Sequence, residues 1–133
     1  MKKIIIDTNF LMIPYQFRVD IFSEFRRICS FNYQLFIFGQ TINELKKIID
    51  EQTGKNKKAA QFALKLVKLK NINIIKSEQT DVDTLILSNL NEEIIPATQD
   101  IMLKRELAKR GASIIILRQK KYLQLIETKL LRF

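Results

Sequence analysis

A chain of 133 residues is long enough to bury about two-thirds of its unfolded surface in one domain. Its 47% apolar content argues against disorder, no apolar run approaches the ~20 residues that span a bilayer, and the chain opens on strand-forming residues rather than a signal-peptide pattern. The net charge of +9 is unevenly spread: residues 54–70 have six lysines and no acid, whereas residues 71–100 have six acids and one lysine. A basic body suits a polyanion, and crowded acids call for a cation or for functional pairing. Cys29 is the one cysteine and there is no histidine, so the thiol has neither a disulfide partner nor an imidazole base. It reads as core packing in a reducing cytoplasm.

In chain order, Ile4-Ile5-Ile6 is a β-branched run expected of a strand buried on both faces, and it stops at Asp7-Thr8-Asn9. A short apolar connection holding Pro14 follows. The three-to-four spacing of Ile21, Phe22, Phe25 and Ile28 then predicts an amphipathic helix over about 17–29. Residues 33–38 (YQLFIF) form the second predicted strand, ended by Gly39. Thr41-x-x-Glu44 fits a capping box at the start of the next helix, which would leave Glu44 as a cap. A further helix over about 57–70 makes an αα-hairpin, its lysines facing water or a polyanion.

Residues 72–75 form a third short strand. Thr80-x-x-Asp83 places Asp83 in the first turn of a helix running to about Leu90. A fourth strand begins near Glu92 and ends in Thr98-Gln99-Asp100; a helix over 101–110 then closes at Gly111. Residues 113–117 (SIIIL) are the fifth strand, followed by Arg118-Gln119-Lys120-Lys121 and a last predicted helix over about 122–131. With no repeat or linker, residues 1–133 read as a single α/β domain.

Four strand-to-helix junctions thus end in an acid: Asp7, Glu44, Asp83 and Asp100. Right-handed crossovers make the strands parallel and bring these ends to one edge of the sheet, where open α/β folds bind their ligands. Capping explains any one acid. It explains four less well, because neighbouring carboxylates raise one another's pKa. A divalent cation resolves the repulsion, and an oxygen-only set suits Mg²⁺ or Mn²⁺ better than Zn²⁺. Without His there is no Ser-His triad, and neither phosphate-cradling glycine loop occurs. Metal-assisted hydrolysis remains, and a basic surface around an acidic notch is the charge layout of a nuclease.

The chain resembles the PIN domain family of Mg²⁺/Mn²⁺-dependent ribonucleases along nearly all its length. Ile4-Ile5-Ile6-Asp7-Thr8-Asn9 is similar to the family's opening strand and first acid, Glu44 to the second, Asp83 to the third, and Thr98-Gln99-Asp100 to the fourth. Residues 7–25 and 113–125 are more specifically similar to archaeal PIN proteins of the rRNA-processing type. Two departures stand out: Val82-Asp83 replaces the usual Asp-Asp pair, with Asp81 one position early, and Gln99 replaces Asn.

The resemblance implies a three-layer α/β/α domain with a parallel, about five-stranded sheet of order 3-2-1-4-5. It implies that Asp7 and Asp100 hold a first Mg²⁺ or Mn²⁺, with Glu44 and Asp83 completing the site or a second ion. Asn9, Thr98 and Asp81 would orient ligands or water from behind. Arg118, Lys120 and Lys121 would bind RNA phosphates, or else form an ordinary basic turn. The expected activity is endoribonucleolytic, in rRNA processing. A weakly active RNA- or protein-binding scaffold and a VapC-like toxin paired with an antitoxin are the alternatives. A homodimer using apolar residues such as Leu131 or Phe133 is also expected of the family.

Overall fold

The computed structural model describes residues 1–127, and among them six strands form one sheet. The strands are β1 (Lys2–Ile6), β2 (Tyr33–Phe38), β3 (Asn73–Ile75), β4 (Ile94–Ala97), β5 (Ile114–Arg118) and β6 (Tyr122–Ile126). Their spatial order is β3-β2-β1-β4-β5-β6, so the β1 isoleucines occupy the middle of the sheet, flanked by β2 and β4. The five-stranded parallel order 3-2-1-4-5 is as expected.

The sixth strand is a correction. Residues 122–126, expected to open a helix, pair antiparallel with β5, and residues 128–131 of that expected helix lie outside the described residues. Within β6, Leu123 is buried and Leu125 half-buried, whereas Tyr122, Gln124 and Ile126 are exposed. That is the period of a strand with one covered face. The connecting turn has Gln119 and Lys120 both at positive φ (53° and 56°), with Lys121 N donating to Arg118 O at 2.9 Å. This is the primed turn that matches strand twist, made here without the usual Asn-Gly.

Helices cover both faces. Along β1 the side chains alternate: Ile4 and Ile6 join one core and Ile5 the other, all fully buried. The first core is closed by α1 (Thr8–Leu11), α2 (Ile13–Phe17), α3 (Ile21–Ile28), α4 (Gly39–Glu51) and α5 (Gly54–Leu69). The second is closed by α6 (Val82–Ser88) and α7 (Ile101–Lys109). Each buried isoleucine contributes about 1.5–3 kcal/mol of burial free energy, so both layers are needed to hold the central strand.

Local chemistry sets the helix ends. The helix expected over 17–29 begins only at Ile21, because Asp20 caps it by accepting from Phe22 N and Ser23 N. Pro14 sits in the first turn of α2, where its missing N–H has no partner to lose. The expected left-handed residue after α7 is Gly111, at φ 74°.

A candidate acidic site at the carboxyl edge of the sheet

The parallel strands β1, β4 and β5 end together, so Asp7, Thr98 and the β5–β6 turn lie on one edge of the sheet. Asp7 is 4% exposed. Its Oδ2 accepts from Thr98 Oγ1 at 2.7 Å and its Oδ1 from Thr8 N at 2.8 Å. Thr98, fully buried, also accepts from Asp100 N at 3.1 Å. Thr8 Oγ1 in turn donates to Glu44 Oε1 at 2.6 Å and lies 3.4 Å from the buried Thr41 Oγ1. Glu44 Oε2 accepts from Val82 N at 3.3 Å, at the start of the helix that bears Asp83. One continuous chain of hydrogen bonds therefore links all four junctions: Asp100, Thr98, Asp7, Thr8, Glu44 and the first turn of α6.

The electrostatics follow from this crowding. Burial pushes the Asp7 carboxyl above its ordinary value, bonds from Thr98 and Thr8 oppose the shift, and the charges of Glu44 and Asp100 add to it. Asp83 is pushed up to about 6, by burial first and then by the charges of Asp7, Asp100, Asp81 and Glu44. Among the described residues, no ion pair involves Asp7, Glu44, Asp83 or Asp100.

Capping explains only part of this set. Asp7 and Asp100 do cap α1 and α7, Asp100 by accepting from Leu103 N at 2.7 Å. The capping box expected at Thr41 and Glu44 does not form. Helix α4 starts three residues earlier than that box requires, at Gly39 with Phe38 as its N-cap, which places Glu44 beyond the first turn and turns it toward Thr8 and Val82. Asp81, expected to orient ligands, is exposed and caps α6 through Thr84 N, and its bonds to Thr84 hold its pKa below the ordinary value. Asn9 is exposed on α1, whereas its neighbour Thr8 is buried in the network.

Thr8 and Thr41 thus join the site without having been expected there. Their one signal in the sequence is a hydroxyl adjacent to an acid at one junction and three residues before an acid at another. Gln99 ties β4 to β5 instead, its Oε1 accepting from Leu117 N at 2.8 Å. Of the basic turn, Arg118 Nε donates to Gln124 Oε1 at 2.7 Å and the Lys120 ammonium lies 5.7 Å from the Phe17 ring centroid.

As a donor set the four carboxylates fit a hard divalent cation. All the ligands are oxygens, none has a cationic partner among the described residues, and Asp7 and Asp83 are disfavoured as anions by burial and by their acidic neighbours. Among the described residues, no three acids are gathered closely enough to form a metal cage by themselves. A cleft of about 680 Å³ lies elsewhere, at the amino ends of β1 and β4 between Lys2, Glu92 and Arg110.

Comparison with known proteins agrees with this layout. The solved structure of the PIN domain endonuclease Utp24 superposes with a TM-score of 0.76 at 21% identity, over 92% of this chain and 90% of that one. Ribonuclease VapC4 of Methanocaldococcus jannaschii is 29% identical over 127 residues, 94% of this chain and 97% of its own length. Ribonuclease VapC9 of Archaeoglobus fulgidus is 31% identical over 118 residues, 88% and 84% of the two chains. A PIN-like domain matches residues 4–120. With the parallel sheet and the linked acids at its carboxyl edge, this match means that the chain belongs to the PIN-like domain family.

Proposed function

We propose that this PIN-family protein is a ribonuclease: a Mg²⁺- or Mn²⁺-dependent endoribonuclease, with residues 1–133 as one catalytic domain working in the cytoplasm. The observation that carries the reading is the hydrogen-bonded chain from Asp100 through Asp7 and Glu44 to the start of α6. It ties together four acidic junctions whose carboxylates have no cationic partner among the described residues. The ribonuclease names of both relatives support the substrate class.

Asp7, Glu44, Asp83 and Asp100 would hold the ion. Such an ion, when bound, lowers the pKa of a water and stabilises the leaving oxygen of a phosphodiester. The remaining residues orient and attract. Thr98 holds Asp7 and the Asp100 backbone in register, Thr8 aims Glu44, and Thr41 backs Thr8. Arg118, Lys120 and Lys121 bring positive charge to the edge where the acids sit, which suits the phosphates of an incoming strand.

The decisive experiment is cleavage of a labelled single-stranded RNA by the purified chain in Mg²⁺, in Mn²⁺ and in chelator. Cleavage that needs metal and disappears in Asp7→Asn and Asp83→Asn, with the circular-dichroism spectrum retained, is the expected result. Salt-sensitive RNA binding without turnover, unchanged by Asp83→Asn, would make the protein a scaffold instead. The toxin and rRNA-processing roles share this chemistry and differ in partner. The names of the two relatives favour the toxin type, and a small antitoxin protein that co-purifies with the chain and blocks cleavage would identify it.

A further inference from the structure

Away from the acids, α2 and α5 meet in a basic and aromatic surface that the proposed metal chemistry does not use. Phe62 of α5 is 38% exposed and stands between two pockets, of about 330 and 300 Å³, that share it with Pro14 and Arg18. Tyr15 flanks Phe62 on one side, with ring centroids 6.0 Å apart and planes tilted by 52°, and Lys55 rims that pocket. Lys70 rims the other, its ammonium 5.2 Å from the Phe22 ring centroid.

Arg18 belongs to both pockets and is exposed, and its backbone is left-handed at φ 56°. That conformation is unfavourable for a side chain with a Cβ, and here it presents a guanidinium where a glycine would sit more easily. The acid on this surface, Asp20, is occupied as the cap of α3.

The surface is connected to the acidic edge through α2. That short helix has Tyr15 against Phe62 and Phe17 beneath Lys120 of the β5–β6 turn. Partly exposed rings interleaved with cations match what unpaired nucleotides require, a π-face for each base and a positive charge for each phosphate. Charge decides against a basic peptide as the occupant, because residues 54–70 hold six lysines and no acid.

We propose that the two pockets around Phe62 are a single-strand subsite, in which bases stack on Phe62 and Tyr15 while Arg18, Lys55 and Lys70 hold phosphates. It extends the substrate path from the acidic edge across α2 onto α5. The identity of the ligand as RNA rests on the ribonuclease reading above; the subsite itself is read by binding without metal or turnover.

The test is fluorescence anisotropy of a labelled oligouridylate in chelator, with wild type, Phe62→Leu, and the paired Lys55→Ala/Lys70→Ala variant. Phe62→Leu keeps an apolar side chain and removes the ring, and affinity for single-stranded RNA should fall roughly 5- to 100-fold while affinity for an RNA duplex of equal length stays unchanged. The lysine pair should flatten the salt slope of binding by about 0.7 for each phosphate no longer neutralised. It tests the same surface with substitutions at exposed positions, whatever Phe62→Leu does to packing.

Unchanged single-strand affinity and slope in both variants, with wild type still binding, overturn the subsite alone and leave the pockets to a peptide partner. Equal losses for single strand and duplex overturn stacking. Failure of the wild type to bind single-stranded RNA in chelator overturns the subsite, whereas the ribonuclease reading falls only if the metal-loaded chain cuts no RNA.

Discussion

Two acidic corners of this molecule use carboxylates in opposite ways. At the α3–β6 corner, Glu24 accepts from Arg27 Nε and Nη2, both at 2.9 Å, and from Leu123 N at 2.8 Å. Its pKa is held below the ordinary value by the Arg27 bonds first, with burial opposing. At the carboxyl edge, Asp7 and Asp83 have raised pKa values and no ion-pair partner among the described residues. A carboxylate that serves the fold is surrounded by donors that favour its charge. Asp7 and Asp83 are held where burial and acidic neighbours disfavour their charge, an arrangement that costs stability and is the one the proposed cation would relieve.

The sharpest way to break this contrast is by substitution at each corner. Asp7→Asn should lower metal-dependent RNA cleavage by more than about 100-fold, since metal-assisted charge stabilisation is worth several kcal/mol. Glu24→Gln should leave cleavage rates nearly unchanged. Comparable loss of activity in both variants at matched folded fraction would erase the distinction.

Next in size, Thr98→Val removes the hydroxyl that bonds Asp7 Oδ2 and accepts from Asp100 N. Losing a group that orients a ligand typically lowers metal affinity or activity by about 10–100-fold. Isothermal titration with Mn²⁺, read beside kcat, separates the two effects. Wild-type Mn²⁺ affinity and kcat would mean that Thr98 only packs.

Stability should move the other way at the structural corner. Glu24→Ala leaves the Leu123 N–H without its acceptor and the Arg27 guanidinium with only the Leu123 carbonyl, so unfolding free energy should fall by about 1–3 kcal/mol, read by denaturant titration. The half-exposed Arg27 keeps this at the lower end, because water replaces part of the missing ion pair.

The smallest effect is the most diagnostic. Asp83 has its folded-state pKa raised from 3.8 to about 6, so the fold favours its protonated form. That contribution is fully present below 3.8 and is lost as pH rises through about 6. In metal-free buffer, Asp83→Asn should therefore be more stable than wild type at neutral pH, by on the order of 1 kcal/mol after allowing for solvent screening. The advantage should vanish as pH falls below 3.8. Added Mn²⁺ should reverse it, because the wild type gains binding free energy that the variant lacks. Equal melting curves across pH would show that Asp83 is an ordinary surface acid.

The central strand and the acid at its end are readable from the sequence alone. A β-branched run has one stable context when both faces are apolar, and Ile4, Ile5 and Ile6 are buried on two sides as that implies. The parallel order follows from alternation of strand and helix patterns and from crossover handedness.

Residues 122–126 are ambiguous in sequence, because Tyr-Leu-Gln-Leu-Ile satisfies period two and, extended to 131, a helical spacing as well. Pairing with the free edge of β5 decides between them, and the turn that permits it lacks glycine and asparagine. Glu44 resembles a cap because a local four-residue pattern cannot report that its helix begins three residues earlier. Beyond standing next to an acid, Thr8 carries no local signal of its role, since its partner Glu44 lies 36 positions away.

Composition and periodicity determined the layers, the core and the four junction acids, since these depend on neighbours along the chain. The tertiary structure decided which acids share one hydrogen-bonded network, which merely cap, and where rings and lysines meet across α2 and α5. Those depend on distances between distant segments, which only the packed sheet sets.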